Sequence, residues 1–224
     1  MTPSREDGLD PLRSVLNRSR RNLTVIAHRA RSDGNIQLKD LCGASGRWDG
    51  ISRLITASLF LSHDMRRDTS VHVLLLGPDD PPKLLTVSGK DVCHLNPDER
   101  ASSALMRKCL KCELGSKHGM QINPSPGIIL TRADLRDVMC SMSGQVIMMD
   151  VNGQSFDPKG FFRENGDEGG SHFILSDDRD LEPKEVELIR KRSDISMNVG
   201  KVELHSNQVI TIIHFLLDSF HDIP

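Results

Sequence analysis

A largely parallel α/β sheet with helices on both faces is the fold class this sequence predicts. Three observations carry that expectation. Short runs rich in Val, Ile and Leu alternate along the chain with stretches whose apolar residues recur at helical spacing. One run, "VHVLLLG" (71–77), is almost continuously apolar, as expected of a strand covered on both faces. Proline- and glycine-bearing segments such as "GPDDPPK" separate the runs and cannot lie inside a ladder.

Taken in order, "LTVIAH" (23–28) is the first strand, and a polar loop leads to "RWDGISRLITASLFLSH" (47–63). There Ile51, Leu54, Ile55, Ser58 and Ser62 share one helical stripe. The strand 71–77 follows, then the proline loop and a short strand in "LLTVSG". In "LNPDERASSALMRKCLKCELG", Asn96 is the expected N-cap and Pro97 the first helical residue, with Asp98 and Glu99 favoured by the helix dipole and Gly115 ending the helix. "GIIL" (127–130) is a strand, after which Thr131 is expected to cap "RADLRDVMCSM" with Asp134 at capping-box distance. "QVIMMDV" (145–151) is a strand, 152–171 a polar, glycine-rich excursion, and "HFILSD" (172–177) a strand. "EPKEVELIRKR" is a helix with Pro183 in its first turn, and "DISMNV" (194–199) a strand. The closing helix, "VELHSNQVITIIHFLLDSF", is apolar around most of its circumference, which predicts burial on more than one side and a share in a subunit interface.

Residues 1–22 precede this pattern as a basic appendage, with Arg13, Arg18, Arg20 and Arg21 and a short helix around Pro11 to Arg18. It reads as a solvated tail or as an RNA-contacting arm. Residues 23–224 then form a single domain. A formal charge of −2 makes any basic surface local. No apolar run reaches the roughly 18 residues a membrane span needs, and no signal-peptide core is present. Five scattered cysteines without such a signal suggest reduced thiols and a cytoplasmic protein. The pair in "CLKC" (109–112) lacks the second pair a structural zinc site requires, and the histidines are dispersed, so no metal is implied.

Two regions concentrate chemistry. "LSHDMRRD" (61–68) packs His63, Asp64, Arg66, Arg67 and Asp68 together: adjacent arginines make a phosphate clamp, a nearby Asp can accept a proton, and the same residues can simply complement a helix end. Ligands in open α/β sheets bind outside the carboxyl ends of strands, which directs attention to the loops after 177 and 199. There "FILSDDRDLEP" supplies Asp177, Asp178 and Asp180, which can cap the next helix or stand where strand-end backbone groups surround a small polar ligand, and "VGKVEL" supplies Gly200, where a backbone can approach a ligand closely. Neither a GxGxxG fingerprint nor a Walker loop is present.

"LKDLCGASGRWD", "FLSHDMRRD", "LLGPDDPPK", "LNPDER", "SPGI" and "ITIIHFLLD" occur in the order found in the tRNA pseudouridine-54 N1-methyltransferase family of the SPOUT superfamily, which the chain resembles over about residues 23 to 218. The resemblance implies S-adenosylmethionine as methyl donor, a C-terminal trefoil knot, a homodimer, and an RNA substrate, tRNA in the family. Matched by position, it implies cofactor contacts from Met149, Ser176, Val199, Gly200, Lys201, Val202, Glu203, Leu204 and Val209. Ser176 stands where the family has the glycine of "LGD", and 152–171 is longer than the family pattern. The implied reaction is methylation of N1 of a pseudouridine, with Asp64 or Asp68 as base or base-orienter and Arg66 or Arg67 stabilising charge or gripping phosphate. A non-enzymatic RNA-binding relative and a methyltransferase acting on ribosomal RNA are the alternatives.

Overall fold

The computed structural model describes residues 9–157 and 170–220. Fourteen elements follow one another: α1 (Asp10–Leu16), β1 (Arg21–Arg31), α2 (Trp48–Leu59), β2 (Thr69–Gly77), β3 (Lys83–Ser88), α3 (Glu99–Leu110), β4 (Gln121–Ser125), β5 (Ile128–Thr131), α4 (Leu135–Ser141), β6 (Gln145–Ser155), β7 (Ser171–Ser176), α5 (Pro183–Arg192), β8 (Ile195–Asn198) and α6 (Ser206–Phe220). The strands make one eight-stranded sheet in the order β4-β5-β3-β2-β1-β7-β6-β8. From β2 to β8 neighbouring strands run parallel. The β3, β5 and β4 side is antiparallel.

Alternation along β1 explains the layering. Leu23, Val25 and Ala27 enter one core with residues of α2, α3 and α6, while Ile26 points the other way into a core with α1, α4 and α5. Both faces of the parallel half are therefore covered, as its unbroken apolar runs require. The proline loop after β2 is pinned by charge: Asp80 takes Lys83 at 2.7 Å and Arg132 at 3.0 Å, and Asp79 takes Arg31 at 2.6 Å.

Several boundaries differ from expectation. Asp98, not Asn96, caps α3, its carboxylate accepting from the Ala101 N–H at 2.8 Å, so Pro97 lies outside the helix. The helix stops at Leu110 rather than Gly115, leaving Cys112 beyond it. Cys109 is buried, and burial pushes its thiol up to about 11; all five cysteines are unbridged. Thr131 stays in β5, and the capping box lies three residues on, between Asp134 and Asp137. β4 was not anticipated: "QINPS" is polar and contains Pro124, which only an edge strand tolerates. The excursion begins with four more residues of β6, to Ser155, and its centre, 158–169, lies outside the described residues. The appendage is no solvated tail in its helical part, because Leu9, Leu12 and Leu16 are buried in the second core. Helix α6 buries Ile210, Ile213 and Leu217 but leaves Phe215 66% exposed. No described helix is long and apolar enough to cross a membrane.

Candidate functional site

At the carboxyl ends of β6, β7 and β8 the chain encloses a cavity of about 750 Å³, within the range that small-molecule sites occupy. Its walls are Met148–Val151, the β7 exit from Leu175 to Leu181, the segment Met197–His205 except Lys201, the start of α6, and Val186 and Arg190 of α5. Met149, Ser176, Val199, Gly200, Val202, Glu203, Leu204 and Val209 all line it. Lys201 is exposed in the same loop and does not. The acids Asp150, Asp177, Asp178 and Asp180 join Glu203 in the wall; the sequence points to Asp177, Asp178 and Asp180 as a strand-end cluster, whereas Asp150, inside an apolar strand, has no such pattern around it.

Side chains hold the wall in place. The Asn198 amide donates to the Gly153 carbonyl at 2.5 Å, while its side-chain oxygen accepts from the Gly200 N–H at 3.1 Å. Ser206 donates to the Ser176 carbonyl at 2.6 Å, tying α6 to the end of β7. The Ser176 hydroxyl donates to the Arg179 carbonyl, so this side chain closes its own turn at the exit of β7. A Cβ at Gly200 would meet nothing within 4 Å, so open space adjoins that backbone.

Behind the β7 exit sits His28, on β1. Its Nδ1 and backbone N–H reach the two Asp177 oxygens at 2.9 and 2.7 Å, and its Nε2 reaches Glu185 of α5 at 2.9 Å. The hydrogen bond to Asp177, outweighing burial and helped by Glu185, raises the imidazole to about 9, so it is a cation at neutral pH. Asp178 faces two arginines, Arg47 at 3.1 Å and Arg29 at 3.5 Å. Arg47 also holds Asp49, whose carboxyl is kept down to about 2 against the upward pull of burial by hydrogen bonds from Arg47 and Arg53.

Asp64, Arg66 and Arg67 lie elsewhere. The Arg21 N–H donates to the Asp68 carbonyl, and β1, β2 and β7 start in register at Arg21, Thr69 and Ser171. Residues 64–68 therefore occupy the amino ends of the strands, about 15–20 Å of strand away from the cavity. Arg66 is spent on Asp218 of α6, bidentate at 3.0 and 2.6 Å, and Asp218 also takes Arg21 at 2.6 Å. Exposed Arg67 donates to the Gly89 carbonyl and to Asp64, both at 3.1 Å. None of the three reaches the cavity of its own chain. The dense charge of "SHDMRRD" serves the junction of α2, β2 and α6. Among the described residues one group brings potential metal ligands together, His118 with Asp134 and Asp137, but both carboxylates are engaged in the α4 capping box.

The cavity's chemistry suits a nucleoside bearing a cationic tail. Val202, 72% exposed, and Leu204, 37% exposed, present apolar surface with Val199 and Val209 for a flat ring, and carboxylates stand nearby for hydroxyl and ammonium groups. Over residues 20–221 the chain matches a family model described as "Putative SAM-dependent RNA methyltransferase". A protein of Methanosarcina mazei named tRNA (pseudouridine(54)-N(1))-methyltransferase is 36% identical over 199 residues, covering 88% of this chain and 90% of its own. One of Methanopyrus kandleri with the same name is 36% identical over 197 residues, covering 88% and 91%. The crystal structure of Archaeoglobus fulgidus Nep1 bound to S-adenosylhomocysteine shares the fold with a TM-score of 0.62 at 13% identity, over 90% of this chain and 98% of that one.

Proposed function

The chain belongs to the family of SAM-dependent RNA methyltransferases, and from that premise we propose that it methylates N1 of a pseudouridine in tRNA, with the cavity at the ends of β6, β7 and β8 as the donor site. One observation supports the assignment above others: eight of the nine positions expected to touch the cofactor converge on a single cavity. When bound, S-adenosylmethionine supplies an electrophilic methyl group on a sulfonium sulfur. The chain's own residues do the positioning. Val199, Val202, Leu204 and Val209 would supply apolar surface to the adenine, and Asp150 and Glu203 would supply acceptors for ribose hydroxyls. The acidic exit of β7 offers a favourable field to the sulfonium and ammonium charges.

Pseudouridine is a C-glycoside, so its N1 carries a proton and is free for substitution. Transfer needs that nitrogen aligned behind the methyl group, which is chiefly a problem of orientation. Arg29 and Arg47, at the mouth beside Asp178, are placed to hold the RNA backbone while the base enters. Asp64 and Arg67, at the far edge, enter this reading only as RNA contacts outside the reaction centre. Arg66 enters it as part of the fold.

The reading includes a cytoplasmic homodimer with a C-terminal trefoil knot. Phe215 is exposed on α6, and Ile212 and Leu216 are half-buried on the same helix, leaving an apolar surface for a second copy. A serine side chain at Ser176, beside the cofactor, would be the motive for a non-enzymatic reading, and that motive is weak because the hydroxyl is turned onto the Arg179 carbonyl and the cavity stays open.

The test pairs calorimetric titration with S-adenosylmethionine and methyl transfer to tRNA carrying pseudouridine or uridine. Saturable binding and incorporation confined to the pseudouridine RNA are expected. Binding without transfer to any RNA would replace the enzyme with an RNA-binding relative, and transfer to ribosomal RNA alone would move the substrate.

A further inference from the structure

We propose that a second, basic cleft, between the β1–α2 loop and α3, holds backbone phosphates of the substrate RNA outside the nucleotide being methylated; this rests on the RNA methyltransferase reading above. The cleft measures about 480 Å³ and is lined by residues 34–39 with Arg100, Arg107 and Lys111. Four cations face it, Lys39 being the fourth, and no carboxylate does. In a chain of net charge −2 that is a strong local excess. Arginines elsewhere, such as Arg53, Arg66 and Arg132, are tied to carboxylates. Lys39, Arg100, Arg107 and Lys111 have no ion pair among the described residues.

Helix electrostatics do not account for the set. Arg107 and Lys111 suit the carboxyl end of α3, but Arg100 sits in its first turn, where the dipole disfavours a cation. The cleft is also built rather than incidental. Gly34 has φ +76°, and a Cβ there would lie 2.9 Å from both the Cγ and the backbone N of Lys111. Only a glycine lets this loop lie flush against the end of α3. That approach sets the exposed amides of Asn35 and Gln37 beside the cations, adding donors for phosphate and sugar oxygens.

Position links the cleft to the reaction. The loop leaves the carboxyl end of β1, the end of the sheet at which the donor cavity opens. After it, Arg47 reaches Asp178 of the cavity wall at 3.1 Å, and Arg53 ties α2 to Glu99, the neighbour of Arg100, at 2.9 Å. An RNA arm that delivers a base to the cavity can lay its adjoining backbone across Arg47 into the cleft. Arginine forks suit phosphate oxygens.

The experiment uses the full chain and a pseudouridine-containing tRNA, with affinity measured from about 50 to 200 mM salt. Arg107→Glu with Lys111→Glu should flatten the log–log salt dependence by about 1.5, the loss of two phosphate contacts. It should raise KM for tRNA at least about tenfold, leaving kcat at saturating RNA and S-adenosylmethionine affinity unchanged. Lys90→Glu with Arg136→Glu, two exposed cations outside the cleft, makes the same charge change and should leave the slope alone. Should the glutamate pair fail to fold, Arg107→Gln with Lys111→Gln gives the same readout. An active wild type whose slope is unmoved by the cleft variants, or moved equally by the control pair, overturns the cleft. A wild type that neither binds nor methylates RNA overturns instead the function on which it rests.

Discussion

Replacing His28 by Gln tests how the donor cavity keeps its shape. The imidazolium ties three elements together: β1, which carries it, the β7 exit through Asp177, and the first turn of α5 through Glu185. Its side chain is only 10% exposed, and its partners are 6% and 13% exposed, so solvent screens the contacts little. Its pKa rises from 6.5 to about 9 on folding. At roughly 1.4 kcal/mol per pH unit, that difference corresponds to about 3 kcal/mol of stability. The sign follows from proton counting. Between pH 6.5 and about 9 the folded chain keeps a proton that the unfolded chain releases, so stability falls as pH rises through this window. The contribution is complete below 6.5 and gone above about 9.

Urea unfolding of both proteins at pH 6, 8 and 10, conditions chosen around that window, reads the effect directly. The wild type should exceed His28→Gln by about 3 kcal/mol at the lowest pH, and the gap should shrink toward the small value of a neutral hydrogen bond at the highest. Because Asp177 lines the cavity, the variant should also bind S-adenosylmethionine about tenfold more weakly at neutral pH, near 1.4 kcal/mol. A stability gap independent of pH would refute the imidazolium clamp, whatever its size.

Three further outcomes are expected. Gly200→Trp should abolish S-adenosylmethionine binding in calorimetry while circular dichroism stays like wild type, because the indole enters space where a Cβ has no neighbour within 4 Å, and the only folding cost is a small drop in melting temperature from a side chain at φ +159°; wild-type affinity would remove this loop from the site. Arg66→Ala should cost roughly 1–2 kcal/mol in urea unfolding by releasing Asp218 and α6, with the salt dependence of RNA binding unchanged; a flattened slope at unchanged stability would return Arg66 to a phosphate clamp. Phe215→Asp should leave a folded chain, since the ring is 66% exposed in the single protomer, yet shift sedimentation from dimer to monomer; a monodisperse wild-type monomer at micromolar concentration would remove the dimer.

The parallel half of the sheet was legible because burial on both faces leaves a mark that polar substitution would erase: "VHVLLLG" and "LTVIAH" permit little else. Caps were less legible. Asn96 and Asp98 are equally good cap residues by type, and the start chosen places Glu99, the first helical residue, against Arg53 of α2, a contact that no local pattern carries. The edge strand β4 has no apolar alternation to read, for one of its neighbours is solvent. In α1 the signal existed: Leu9, Leu12 and Leu16 recur at helical spacing, but the arginines around them gave the segment the look of a tail.

The site divides along the same line. The cavity proposed as the donor site lies where the rule that α/β ligands sit beyond the carboxyl ends of strands directs attention, because that rule uses strand direction, which the order of elements supplies. The location of the cluster at 61–68 was not legible, for the converse reason. Charge density is a local property, and nothing local says which end of the sheet a helix–strand junction occupies. That end is decided by β2 starting beside Arg21, and by Asp218, some 150 residues later, drawing the Arg66 guanidinium into the α6 packing. The cleft of Lys39, Arg100, Arg107 and Lys111 is the opposite case. Its cations are dispersed in sequence and none stands out, and they become a phosphate-sized field only when Gly34 brings the loop against α3. In this chain, then, a run of charge in sequence marks where the fold is tied together. The charge available to RNA is assembled by the fold from residues that look ordinary.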